Sequence, residues 1–137
     1  MALPATMRKF EIALSDVDRG VYEALELRVA QHPSETDRYL VTRVIARALE
    51  HDEGVAFTRG LAEADEPALE RRDLRGDRLA WIDIGGPSPE RLHRALKACE
   101  RVAVYGWHRM DELARKVKDF GAHRAEEGPE DLRGVVE

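Results

Sequence analysis

Arg78-Leu79-Ala80-Trp81-Ile82-Asp83-Ile84-Gly85-Gly86-Pro87-Ser88-Pro89 is the stretch that decides the architecture. Leu79, Trp81 and Asp83 alternate with Ala80, Ile82 and Ile84, and apart from the aspartate both faces are apolar, as in a central strand buried on two sides. Gly85-Gly86-Pro87 breaks the strand. Ser88 then offers an N-cap and Pro89 the first helical position. Leu92, Ala95, Leu96 and Cys99 mark one face of the helix, and Arg101 to Tyr105 reads as another strand. A strand, a helix and a strand over this distance form a right-handed parallel crossover.

Working outward, Leu69 to Leu74 reads as a strand that turns through Arg75-Gly76-Asp77 into the central one, and Val55-Ala56-Phe57-Thr58 as a shorter strand before it. At the start of the chain, Phe10, Ile12 and Leu14 alternate with Lys9, Glu11 and Ala13. Leu25, Leu27 and Val29 alternate with Glu26 and Arg28, so the two runs form a hairpin about the turn Ser15 to Gly20. After Pro33, Ser34 serves as an N-cap with Asp37 three positions on, close to a capping box. The helix that follows buries Leu40, Val41, Val44, Ile45, Ala48 and Leu49 and turns Arg38, Arg43, Arg47 and Glu50 mainly to solvent. Residues 111–120 read as a last helix, and 121–137 as a polar tail broken by Gly128 and Pro129. The expected fold is therefore mixed α/β, a central mixed sheet flanked by helices, with one domain over residues 1–120 and a tail over 121–137.

Composition narrows the function. The chain has 137 residues, 22 basic and 27 acidic side chains, and a net charge of −5, with 43% hydrophobic residues. That suits one globular core and argues against a broad, sequence-blind nucleic-acid binder, although a local basic cleft remains compatible with it. No apolar run approaches the roughly 20 residues needed to cross a bilayer. The first residues lack the layout of a secretory signal, so a cytoplasmic location is expected. Cys99, the single cysteine, excludes an internal disulfide and a thiolate zinc cage. Asp16 and Asp18 do not make a calcium loop, because Val21 and Leu27 stand where glycine and glutamate are needed. His32, His51, His93, His108 and His123 have no paired-ligand spacing, and Gly85-Gly86-Pro87 lacks the length and the Lys-Ser/Thr ending of a phosphate loop.

Chemistry concentrates on three acids. Asp83 closes a central strand next to a helix start, where ligands of α/β sheets gather. A carboxylate on the face of Trp81 and Leu79 is costly without a cation, a donor or a metal, and a nearby arginine or the Gly85-Gly86 turn would satisfy it equally well. Glu35 falls in the first turn of the helix after Ser34, where the helix dipole alone favours an acid. Glu66 stands beside Pro67 in an acidic loop. Arg94 and Lys97, on the helix after Asp83, either bring positive charge to it or coat a solvent face. If Glu35, Glu66 and Asp83 converged, they would make a hard-metal site for magnesium or manganese suited to phosphodiester hydrolysis.

His32-Pro33-Ser34-Glu35-Thr36, Phe57-Thr58-Arg59-Gly60-Leu61, Asp65-Glu66-Pro67 and Trp81-Ile82-Asp83-Ile84-Gly85 follow one another in the order of the bacterial YaeQ family, which the chain resembles over residues 1 to about 106. The opening Met-Ala-Leu and the turn Asp16-Val17-Asp18-Arg19 resemble it too. The resemblance implies a fold similar to the PD-(D/E)XK (restriction-endonuclease-like) nuclease superfamily, with Glu35 as the helix glutamate and Asp83 as the acid of the D/E-x-K element. Two departures stand out: Ala68 occupies a position where many members carry an acid, and Gly85 the position of the lysine, which Arg94 or Lys97 from the next helix would have to replace. Arginine is a poor substitute for a proton-handling lysine because it stays charged. The family usually runs further, so a closing C-terminal sheet segment is expected to be missing or replaced. The implied function is metal-dependent hydrolysis of nucleic acid at a degenerate site, entered through a local cleft. The alternative is a non-catalytic binding or regulatory module on the same fold.

Overall fold

The computed structural model describes residues 4–58 and 65–120. In chain order the elements are β1 (Thr6–Asp16), β2 (Val21–Gln31), α1 (Asp37–Leu49), β3 (Val55–Phe57), β4 (Leu69–Arg72), β5 (Arg78–Ile84), α2 (Pro89–Ala98), β6 (Arg101–Tyr105) and α3 (Met110–Phe120). The expected tail, residues 121–137, lies outside the described residues.

β5 is central, as its two apolar faces require. It pairs antiparallel with β4 and parallel with β6, in a four-stranded sheet of order β3-β4-β5-β6. Alternation sends its side chains to opposite layers. Trp81 joins Val102 and Val104 under α2 and α3, against Leu92, Ala95, Leu96, Cys99 and Val117. Ile82 and Ile84 join Leu69, Ala103 and Tyr105 under α1, against Ala46 and Tyr39. The helix after β5 starts as its sequence dictates, with the Ser88 hydroxyl accepting from the Arg91 N–H and Pro89 in the first turn.

The β1–β2 hairpin forms a separate two-stranded sheet in unbroken antiparallel register from Thr6–Gln31 to Asp16–Val21. It lies on the other side of α1, where Leu27 and Val29 pack on Leu40 and Val44, with Phe10, Ile12 and Leu25 around them. α1 thus has a sheet on each side. Arg19 fastens the hairpin turn to the end of α1, donating from Nη1 to the His51 carbonyl at 2.8 Å and from Nη2 to the Leu49 carbonyl at 3.2 Å.

Three local readings need correction. The N-cap of α1 is Thr36, whose hydroxyl accepts from the Tyr39 N–H at 3.1 Å, whereas the Ser34 hydroxyl bonds to the His32 ring. Glu35 consequently precedes the helix and sits in a turn closed by its own N–H donating to the His32 carbonyl. The buried face of α1 is also rotated: Arg43 and Thr42 are buried, while Val41 and Leu49 are exposed. With sheets on both sides, the helix buries a wider arc than a single apolar stripe provides. β4 ends at Arg72 because the Asp73 carboxylate accepts from the N–H groups of Arg75 and Asp77 and draws the following residues into a turn.

Candidate functional site

Asp83 is 4% exposed at the end of β5. Its counter-ion is Arg91, in the first turn of α2. Nε donates to Oδ2 at 2.9 Å and Nη2 to Oδ1 at 3.2 Å, a two-pronged pair. The same guanidinium lies over the Trp81 ring, 5.0 Å from its centroid, and donates to the backbone carbonyl of Glu66. The Asp83 hydrogen bonds hold Arg91 firmly protonated, raising its already high pKa. Arg94 and Lys97, the cations expected beside Asp83, are both exposed further along α2. Arg94 lines a cavity of about 210 Å³ with Asp65, Trp81 and Arg91, and Lys97 does not reach that cavity. Arg91 carries the same spacing signal as Arg94, one turn closer to the strand, and the S-P-x-R start of the helix could have indicated it.

Glu35 is 7% exposed and belongs to a second pair. Arg43, eight residues on and in the second turn of α1, donates from Nε to Oε2 at 3.1 Å and from Nη2 to Oε1 at 3.0 Å. The His32 N–H also donates to Oε1, at 3.2 Å. Arg43 reaches on to the Ala30 carbonyl at the end of β2 and lies over the Phe57 ring. Sequence reading assigned Arg43 to solvent by its charge. Its position three residues after buried Leu40, on the same helical row, was the available signal.

Tyr39 connects the two pairs. Its phenol is pushed above its ordinary value first by burial and then by the Asp83 carboxylate; Arg43 draws it down, Glu35 adds an upward push, and Arg91 opposes it. Folding therefore brings Glu35, Arg43, Asp83 and Arg91 into electrostatic reach of one phenol. Glu66 is half-buried in the loop before β4, held to α2 through its backbone carbonyl. Among the described residues, no three His, Cys, Asp or Glu side chains are arranged around a metal position.

The two departures have structural counterparts. Ala68 is buried just before β4, one residue past the Leu69–Ile82 pair, which brings it level with Asp83. The Thr58 N–H donates to its carbonyl at 3.2 Å. Gly85 has φ of 86°, and a Cβ there would meet the Tyr39 and Trp107 rings only at 3.8 Å. Backbone conformation, not space, is what favours glycine there. Arg38 lies over Trp107, at 5.7 Å from the ring centroid.

His51 is a polar junction that the sequence did not reveal. Its Nδ1 meets Nη1 of Arg47 at 2.8 Å, and its Nε2 bonds to the Glu23 carboxylate on β2.

Fold and site together define a mixed α/β protein with a buried carboxylate–arginine pair at the carboxyl end of its central strand and a second pair at the entry to α1. A model of the YaeQ protein family matches residues 1–127, and the chain belongs to that family. It is similar to the uncharacterized protein YaeQ of Escherichia coli (strain K12) and that of Salmonella typhi. Each is 38% identical over 109 residues, which cover 79% of this chain and 60% of the relative. The chain thus spans about 60% of the length of these curated relatives. The crystal structure of YaeQ protein from Pseudomonas syringae superposes with a TM-score of 0.79 at 39% identity, over 87% of this chain and 66% of that one. The YaeQ protein from Xanthomonas axonopodis pv. citri gives 0.77 at 37% identity, over 93% and 78%. The mixed α/β architecture, with three helices among the described residues, matches these structures.

Proposed function

We propose that this chain is a YaeQ-type module on a fold similar to the PD-(D/E)XK nucleases, with a degenerate carboxylate site that binds a phosphodiester-type anion with weak or no hydrolysis. One observation carries this reading: each buried acid is taken by a buried or half-buried arginine, Glu35 by Arg43 and Asp83 by Arg91. An ionised carboxylate offers about four lone-pair directions. Three hydrogen bonds already converge on Glu35, whose side chain is 2% exposed, so it does not fit a divalent ion as it stands. Magnesium or manganese therefore has no part in this reading. Ala68 and Gly85 supply neither the further acid nor the lysine. Arg94, facing the cavity beside Arg91, and Arg38, on Trp107, are the cations available to a phosphate, which guanidinium groups bind in a forked geometry.

A second reading takes its support from the fact that both acids push up the Tyr39 phenol. Here Glu35 and Asp83, with Glu66 as auxiliary ligand, hold magnesium or manganese, while Arg94 or Lys97 steadies the phosphate of a nucleic acid. Thermal melting of the intact protein and of Asp83→Ala, with and without each metal, separates the two. The first reading expects no metal-dependent rise of the midpoint, no nicking of supercoiled or single-stranded DNA, and salt-sensitive retention of an oligonucleotide that Arg94→Ala weakens. A rise in midpoint that Asp83→Ala abolishes, accompanied by nicking, would overturn it.

A further inference from the structure

On the face of β5 opposite Asp83, toward the start of the parallel strands, a cleft of about 320 Å³ opens between the end of α1 and the sheet. Its apolar lining is Leu49, which is exposed, and the edge of buried Val55, and its walls carry Arg19, Arg71 and Arg101 against Glu50 and Asp52. Two of these cations have fixed structural duties. Arg19 pairs with Asp16 and holds the carbonyls at the end of α1, and Arg101 grips Glu50, which also accepts from the Tyr105 hydroxyl. Arg71 differs. Only its Nε makes a hydrogen bond, to the Glu53 carbonyl at 3.1 Å, and its Nη2 is ion-paired loosely with Asp52 Oδ2 at 3.6 Å, beyond hydrogen-bonding distance. A guanidinium has five N–H donors, so most of those of Arg71 are available at the rim.

We propose that this cleft binds a small amphiphilic anion, a carboxylate or phosphate monoester on a short apolar body, with its head at Arg71 and its body against Leu49 and Val55. The walls are mainly charged, so recognition rests on the head group, and arginine matches either a carboxylate or a phosphate in a forked pair. The Arg19 and Arg101 bonds pre-order the walls, so the ligand has only Arg71 to organise. The site is separate from the Asp83 region and does not depend on the function proposed for it.

Calorimetric titration of the whole chain with phenyl phosphate, phenylacetate and inorganic phosphate tests this. Saturable one-to-one binding is expected for at least one aryl anion, with inorganic phosphate weaker, and the tighter aryl probe identifies the head group. Arg71→Ala should weaken binding about tenfold, Arg71→Lys by less, and Arg28→Ala, at an exposed position on β2, not at all. Melting curves establish that the variants are folded. Absence of saturable binding by both aryl anions up to about 10 mM overturns the proposal. So does equal binding of inorganic phosphate, or an equal loss in Arg71→Ala and Arg28→Ala.

Discussion

Truncating Arg43 would leave the Glu35 carboxylate buried without its counter-ion. Breaking a buried pair from one side typically costs about 3–5 kcal/mol, because the remaining charge is desolvated and unpaired. Arg43→Met should therefore lower the urea midpoint strongly, and Glu35→Gln combined with it should recover part of the loss. Glu70 gives the pH dependence. Burial pushes its carboxyl up, but hydrogen bonds and charge from Arg72 and Arg78 outweigh this and leave it below its ordinary 4.5. A depressed acid contributes stability that is complete above the unfolded value and lost as pH falls through the folded one. Stability should thus decline as pH drops below about 4.5, and Glu70→Gln should flatten that decline in denaturation measured across the acid range.

α1 carries most of what positions the candidate site, and its start is set by one hydroxyl. Thr36→Ala removes the acceptor for the Tyr39 N–H and should cost about 1 kcal/mol in chemical denaturation. Ser34→Ala, at the position that sequence spacing nominates as the cap, should change stability by less than about 0.5 kcal/mol. The reverse order of effects would mean that the helix begins where spacing alone put it. Starting at Asp37, α1 leaves Glu35 outside its first turn, close enough for Arg43 to reach back to it. Ser34 and Thr36 are both competent caps, and only the packing of the helix between two sheets chooses between them. The sequence was clearer at α2, where Ser88 and Pro89 combine two start signals at one point.

At the level of the whole molecule, the hairpin depends on α1, since a lone two-stranded sheet is at best marginal in water. Leu40 is buried between Leu27, Val29 and Val44. Leu40→Ala should cost about 2–5 kcal/mol by cavity formation. Hydrogen exchange should then show the amides of β1 and β2 losing protection while those of β5 and β6 retain more. Uniform loss across all six strands would instead make the hairpin and the four-stranded sheet a single cooperative unit.

The architecture was legible in the sequence because it rests on short-range regularities. Period-two alternation marked β1, β2 and β5, a turn-and-cap signal separated β5 from α2, and the crossover followed from the order of elements. Those patterns also located Asp83 at the end of a buried strand, but they put Glu35 inside the first turn of α1, which it precedes. Local patterns only hinted at the arginine partners of these acids, and tertiary structure fixed the pairing. Arg43 and Arg91 look like solvent-facing charges until the second sheet covers α1 and α2 lies across Trp81. A buried carboxylate must find a cation or a donor, but which one it finds depends on distances between elements that no local pattern encodes.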